Sequence, residues 1–168
     1  MLRAQAEAFE DSDDEEQGFT GNLTDTQPLS NVQGKFILLL EGLSEIRNNM
    51  RVGAESLSNF KPERLTGLLN NLLEIGTDLN KEQLIQIRGL LETIFNTADK
   101  RRLVKDNNVK FTTILLIYSI TLFLIATYLT QDKQTRKTRL NDFFELLLNK
   151  TPSQIGQILT ERRMDKAN

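Results

Sequence analysis

Chemistry in this chain would have to come from carboxylates, amines, guanidiniums and hydroxyls, because its 168 residues include no His and no Cys. Without His the commonest general base and metal ligand is missing. Without Cys there are no disulfides, thiolate metal sites or cysteine nucleophiles. The densest acidic cluster is "EDSDDEEQ", Glu10 to Gln17. It sets Ser12 directly before further acids, a context that acidophilic kinases accept. The plainer reading is a solvating tail; the sharper one makes Ser12 a phosphorylation acceptor on a strip that docks a basic partner surface. As a metal site the cluster lacks a glycine-turn loop and a second set of ligands. Glu41, Glu45, Glu63, Glu74, Glu82 and Glu92 fall on polar faces of amphipathic helices, as ordinary solvated carboxylates do. No phosphate loop, dinucleotide fingerprint, nucleophile elbow or metal-spaced set occurs. Basic residues do not gather in one patch with interleaved aromatics. The expectation is a non-enzyme with no cofactor, no metal, no nucleic-acid partner and no small-molecule substrate.

A second pattern lies in "FTTILLIYSITLFLIATYLT", Phe111 to Thr130, which has no charge, proline or glycine. Twenty residues at about 1.5 Å rise give roughly 30 Å, the thickness of a bilayer's hydrocarbon core. A soluble core helix of that length is expected to carry a polar stripe where one face meets water. Here the polar atoms are hydroxyls only, and a helical Ser or Thr can return its hydroxyl to a carbonyl one turn back. The flanks "KRRLVKDNNVK" and "QDKQTRKTR" are basic, as at headgroups. The run is read as a transmembrane helix over 109–131, with a buried helical hairpin core as the alternative. Within it Thr112, Ser119 and Ala126 recur every seven residues beside Leu115, Leu122 and Leu129. Small residues on one face let helices approach in lipid, so the stripe is read either as chance spacing or as the packing face of a span that self-associates into a homo-oligomer. Five bases precede the span (Lys100, Arg101, Arg102, Lys105, Lys110) and four follow it (Lys133, Arg136, Lys137, Arg139), a near tie. With no secretory signal at the start, a cytosolic N-terminus is favoured for this single-pass protein; which membrane it occupies is left open.

The remaining elements read as helices. Residues 1–29 form an acidic, disordered tail. Ser30 and Gln33 make a capping box, after which Val32, Phe36, Leu39, Leu43, Ile46 and Met50 step by four and three, widened by Ile37, Leu38 and Leu40. That helix ends near Gly53. Pro62 opens the next, with Leu65, Leu68, Leu69, Leu72, Leu73 and Ile75 inside and Gly76 as its stop. Asn80 and Gln83 box the third, which steps through Leu84, Ile87, Leu91, Ile94 and Ala98. Phe36, Leu39, Leu43, Ile46, Leu84, Ile87, Leu91 and Ile94 are expected to form the helix–helix interfaces of a three-helix bundle over 30–105. After the span, 137–165 reads as a helical pair. Thr138 caps the first, with Leu140, Phe143, Phe144, Leu147 and Leu148 on one face. Thr151, Pro152 and Gln154 start the second, with Ile155, Ile158 and Leu159 inside. So short a pair cannot bury a stable core alone, so it must lie on a membrane surface, a partner or copies of itself.

The whole is thus all-α: a small helical bundle, a single transmembrane helix and a short C-terminal helical pair. The function expected of it is non-enzymatic and structural. A single-span protein would scaffold a protein assembly at a membrane, as a virion membrane-to-shell component or an accessory subunit of an organelle complex. Its partners would be the lipid bilayer and other protein subunits. The alternative is a membrane tether or fusion factor pairing through its heptad helices.

Overall fold

Apolar residues spaced by three and four, punctuated by Pro and Gly, build helices throughout, and among the described residues there is no strand. The computed structural model describes residues 27–52, 57, 60–97, 108–129 and 132–164. Ser12, the acidic tail before Gln27, and Lys100, Arg101, Arg102 and Lys105 lie outside the described residues. The chain divides into units 1–34 and 35–168. The described part of the first is the opening of helix α1 (Gln27–Val52). That helix starts three residues before the expected cap, so Ser30 lies within it. The cause is Pro28, whose fixed φ and missing N–H suit a first turn.

In the second unit, Phe36, Leu39, Leu43, Ile46 and Met50 are buried on α1. Ile37 and Leu38 are exposed, so the apolar face does not widen to that side. Helix α2 (Pro62–Ile75) runs antiparallel to α1. Lys35 pairs with Glu74 at 2.7 Å and Glu45 with Arg64 at 2.7 Å, the two bridges bracketing the contact. Between them the helices approach at Gly42, where an added Cβ would stand 2.6 Å from a Leu68 methyl. A 3₁₀ turn (Gly76–Asp78) leads to helix α3 (Lys81–Thr97). The expected box forms: Asn80 Oδ1 accepts from the Gln83 N–H at 2.8 Å, and Gln83 Oε1 accepts from the Asn80 N–H at 2.9 Å. Leu84, Ile87, Leu91 and Ile94 are fully buried.

Helix α4 (Asn108–Ala126) is the apolar run. Helix α5 (Lys133–Leu147) starts a full turn before Thr138. Asp132 caps it, accepting from the Thr135 N–H and the Thr135 hydroxyl, both at 2.9 Å. Asp is the stronger cap, and its two oxygens satisfy two donors at once. Helix α6 (Pro152–Glu161) carries its expected capping box on Thr151 and Gln154. Asn149, in the turn between α5 and α6, holds a left-handed φ of 63°, which Asn tolerates better than most residues.

Helices α2, α3, α5 and α6 and the 3₁₀ turn all pack on α4. The bundle, span and C-terminal pair read from the sequence therefore share one core, centred on α4. The C-terminal pair finds its apolar partner within the chain. Leu140, Phe143, Leu147, Ile155 and Leu159 are buried, and the Phe143 ring stacks on Phe123 of α4, centroids 4.7 Å apart.

Candidate functional site: the central helix and its clefts

Helix α4 is long and apolar enough to cross a membrane, and half of that window is buried inside the molecule. From Ser119 to Phe123 and Leu124, six consecutive residues are buried. At 3.6 residues per turn, such a run covers every face of the helix. Over that stretch no face is left for a polar stripe, and a buried helix and a bilayer span satisfy the same compositional rule. Its hydroxyls are satisfied internally. Ser119 donates to the Leu115 carbonyl at 2.8 Å, Thr121 to Ile117 at 2.8 Å and Thr113 to Val109 at 3.0 Å.

The stripe expected to pack two spans does not share one environment. Ser119 is fully buried, Thr112 is half-buried and Ala126 is exposed. Leu122 is buried while Leu129 is exposed. Small size at Ser119 serves contacts inside the chain. At the α1 and α3 residues named for helix contacts, Phe36, Leu39, Leu43, Ile46, Leu84, Ile87, Leu91 and Ile94, every side chain is buried.

The C-terminal end of α4 is held by a residue that reads from sequence as a headgroup cation. Arg136, on α5, is only 4% exposed. Its Nη2 donates to the Leu124 carbonyl at 2.9 Å, its Nε to Thr127 Oγ1 at 3.4 Å, and the guanidinium lies over the Tyr128 ring at 5.2 Å. The last carbonyls of a helix lack intrahelical donors and carry partial negative charge, so a cation here answers both needs. Burial lowers the Arg136 pKa from its ordinary value, but a guanidinium starts so high that it stays charged. A second base of the same flank, Lys133, pairs with Asp78 of the 3₁₀ turn. In the first turn of α4, Lys110 donates to the Leu57 carbonyl at 3.1 Å.

Gly76 is the C-cap of α2, the expected helix stop, and it has a second role. Its backbone is right-handed helical (φ −55°), but an added Cβ would stand 2.6 Å from Leu124 Cδ1. The missing side chain lets the end of α2 reach α4.

Two clefts open beside α4. One, of about 350 Å³, lies along its first half and is lined by Phe95, Phe111, Leu115 and Tyr118, with Glu92 and Asn96 from α3 at the rim. Phe95 meets Phe111 and Tyr118 edge to face, centroids 5.8 and 5.2 Å away. The other, of about 390 Å³, lies at the far end between α4, α5 and the turn after α6. Sequence periodicity misses both, because their walls come from helices whose mutual rotation only the fold sets. Among the described residues, no three His, Cys, Asp or Glu side chains gather as a metal site. No protein-family model, curated protein or solved structure matches this chain.

Proposed function

We propose that the chain is a non-enzymatic helical interaction module, a component of a protein assembly, with α4 as the module's core helix in its folded state. The observation that carries this reading is the aromatic cleft between α3 and α4. Phe95 meets Phe111 and Tyr118 edge to face beside Leu115, and Glu92 and Asn96 complete the lining. Aromatic side chains are enriched where proteins meet, and a groove between two helices suits an apolar helix face. A pull-down of the full chain in mild detergent, with partners identified by mass spectrometry, tests it. Leu115→Lys puts a charge on the half-buried cleft wall, and is expected to lose the partner while keeping the helical melt. A partner retained by Leu115→Lys but lost by Ile37→Ser with Leu38→Ser would move the contact to α1.

A membrane span is the second reading, favoured by the length of α4 and by hydroxyls that need no partner outside the helix. A span would require the packed arrangement to open. Helix α5 lies on α4 and carries Lys133, Arg136, Lys137 and Arg139. Taking it into hydrocarbon would cost about 2.5 kcal/mol or more for each base near the centre. A spanning α4 must therefore shed α5, and with it the Arg136 cap. Resistance of the native chain to alkaline carbonate extraction would support the span over the module.

A further inference from the structure

The cleft at the far end of α4 differs in chemistry from the aromatic one. Phe123, Ala126, Phe143, Leu146 and Met164 supply apolar surface, and Arg139, Arg162 and Asp142 supply charge. Phe143 and Met164 are buried, and Leu146 is part-exposed at 38%. Arg163, with a left-handed φ of 58°, turns the chain after α6 so that Met164 comes back against this wall. The Arg162 guanidinium lies over the Phe143 ring, 5.4 Å from its centroid. That placement fixes the head of a long side chain and leaves its N–H groups to point elsewhere. Among the described residues, neither Arg139 nor Arg162 has a carboxylate within ion-pair distance, and Asp142, which lines the same cleft, has no ion-pair partner there.

We propose that this cleft binds an amphiphilic monoanion, a carboxylate or phosphodiester head on an apolar chain or ring. Two guanidiniums against one carboxylate leave one positive charge at the lining, which suits a single negative charge and disfavours a cation. A planar guanidinium presents paired donors that match carboxylate and phosphate oxygens. The stacked Phe123–Phe143 pair with Leu146 and Met164 receives the apolar part. At about 390 Å³ the space lies within the range of small-molecule sites. The inference is independent of the partner contact proposed for the α3–α4 cleft, since it uses none of those residues.

Two dyes of nearly the same ring skeleton test it on the full chain. Anilinonaphthalene sulfonate carries an anionic head and N-phenylnaphthylamine does not. In the parent, the sulfonate is expected to bind the more tightly and to be displaced by dodecanoate. Arg139→Gln with Arg162→Gln should weaken the sulfonate by about tenfold or more, since hydrogen bonds to charged groups are the strong ones. The neutral dye should change less than about twofold, and Arg139→Lys with Arg162→Lys should recover part of the loss. Both arginines are exposed, so the thermal melt serves as the fold control. Flotation with phosphatidylcholine vesicles, with and without phosphatidylglycerol, separates the sources. Arginine-dependent flotation only with the anionic lipid names a headgroup as the anion; dodecanoate displacement without flotation names a free amphiphile. If the sulfonate and the neutral dye respond alike to the Gln pair, or the sulfonate does not bind the folded parent, the proposal is overturned.

Discussion

Arg136 and Gly76 show how single residues join the helices to α4. Removing the Arg136 guanidinium leaves the buried Leu124 carbonyl short of its donor. An unsatisfied buried acceptor costs about 1–3 kcal/mol, so Arg136→Met should lower the unfolding free energy by that amount in denaturant titrations. Arg139→Met, three residues on and exposed, should cost much less; equal effects would mean that Arg136 is an ordinary surface cation. At Gly76 two effects oppose each other. Ala favours helical backbone over Gly by about 0.8–1 kcal/mol, whereas overpacking a core costs about 1–3 kcal/mol. The close approach to Leu124 should win, so Gly76→Ala should destabilise the parent. In a Leu124→Ala background the clash is gone and the same change should become neutral or stabilising. Such a sign change in a double-mutant cycle would not arise if Gly76 merely ended α2.

At the scale of the helix, the caps set the ends and one of them titrates. The backbone N–H of Thr135, with its hydroxyl, holds the Asp132 carboxyl below its usual pKa. The Arg64 side chain does the same for Glu45. Because the folded pKa is depressed, each contribution is complete above the unfolded value and fades as pH falls through the lower folded one. Stability should thus decline below about pH 4, the ordinary carboxylate range. Asp132→Asn keeps an acceptor for Thr135 without the titration. Its melting temperature should fall less steeply with acid than the parent's, with Glu45 supplying the residual slope. An unchanged slope would remove Asp132 from the account. The elements themselves were largely legible. Pro62 and Pro152 start their helices, Asn80 and Thr151 form the expected boxes, and the Leu84–Ile94 row is buried as its spacing requires. Asp132 was legible too, as an Asp three residues before Thr135, but it stood within a flank rich in bases. What periodicity could not show is the surroundings of α4, since a helix enclosed by protein and one enclosed by lipid satisfy the same compositional rule. Nor could it bring Phe95 to Phe111 and Tyr118, or Arg162 to Phe143. Those pairings arise only when helices from distant parts of the chain settle around α4.

For the whole molecule, one shared core implies that its parts do not stand alone. A fragment 30–98 looks self-sufficient by its three helices, but it lacks α4, against which α2 and α3 pack. It should show little cooperative melting, whereas the full chain should melt in one transition; a cooperative fragment would restore a separate bundle. The central claim, that α4 lies inside the fold with α2, α3, α5 and α6 around it, is open to a test that needs no substitution. Lys133, after α4, touches Asp78, before it. In a spanning arrangement these residues stand on opposite sides of a bilayer, separated by roughly 30 Å of hydrocarbon. Zero-length carbodiimide coupling joins only amines and carboxylates already in contact, and mass spectrometry of the digest reads the product. Lys35 and Glu74, 2.7 Å apart on the same side of α4 in sequence, provide the internal control. An intramolecular Asp78–Lys133 crosslink is expected alongside Lys35–Glu74 in the full chain. The control crosslink without the Asp78–Lys133 product would mean that α4 does not sit inside this fold.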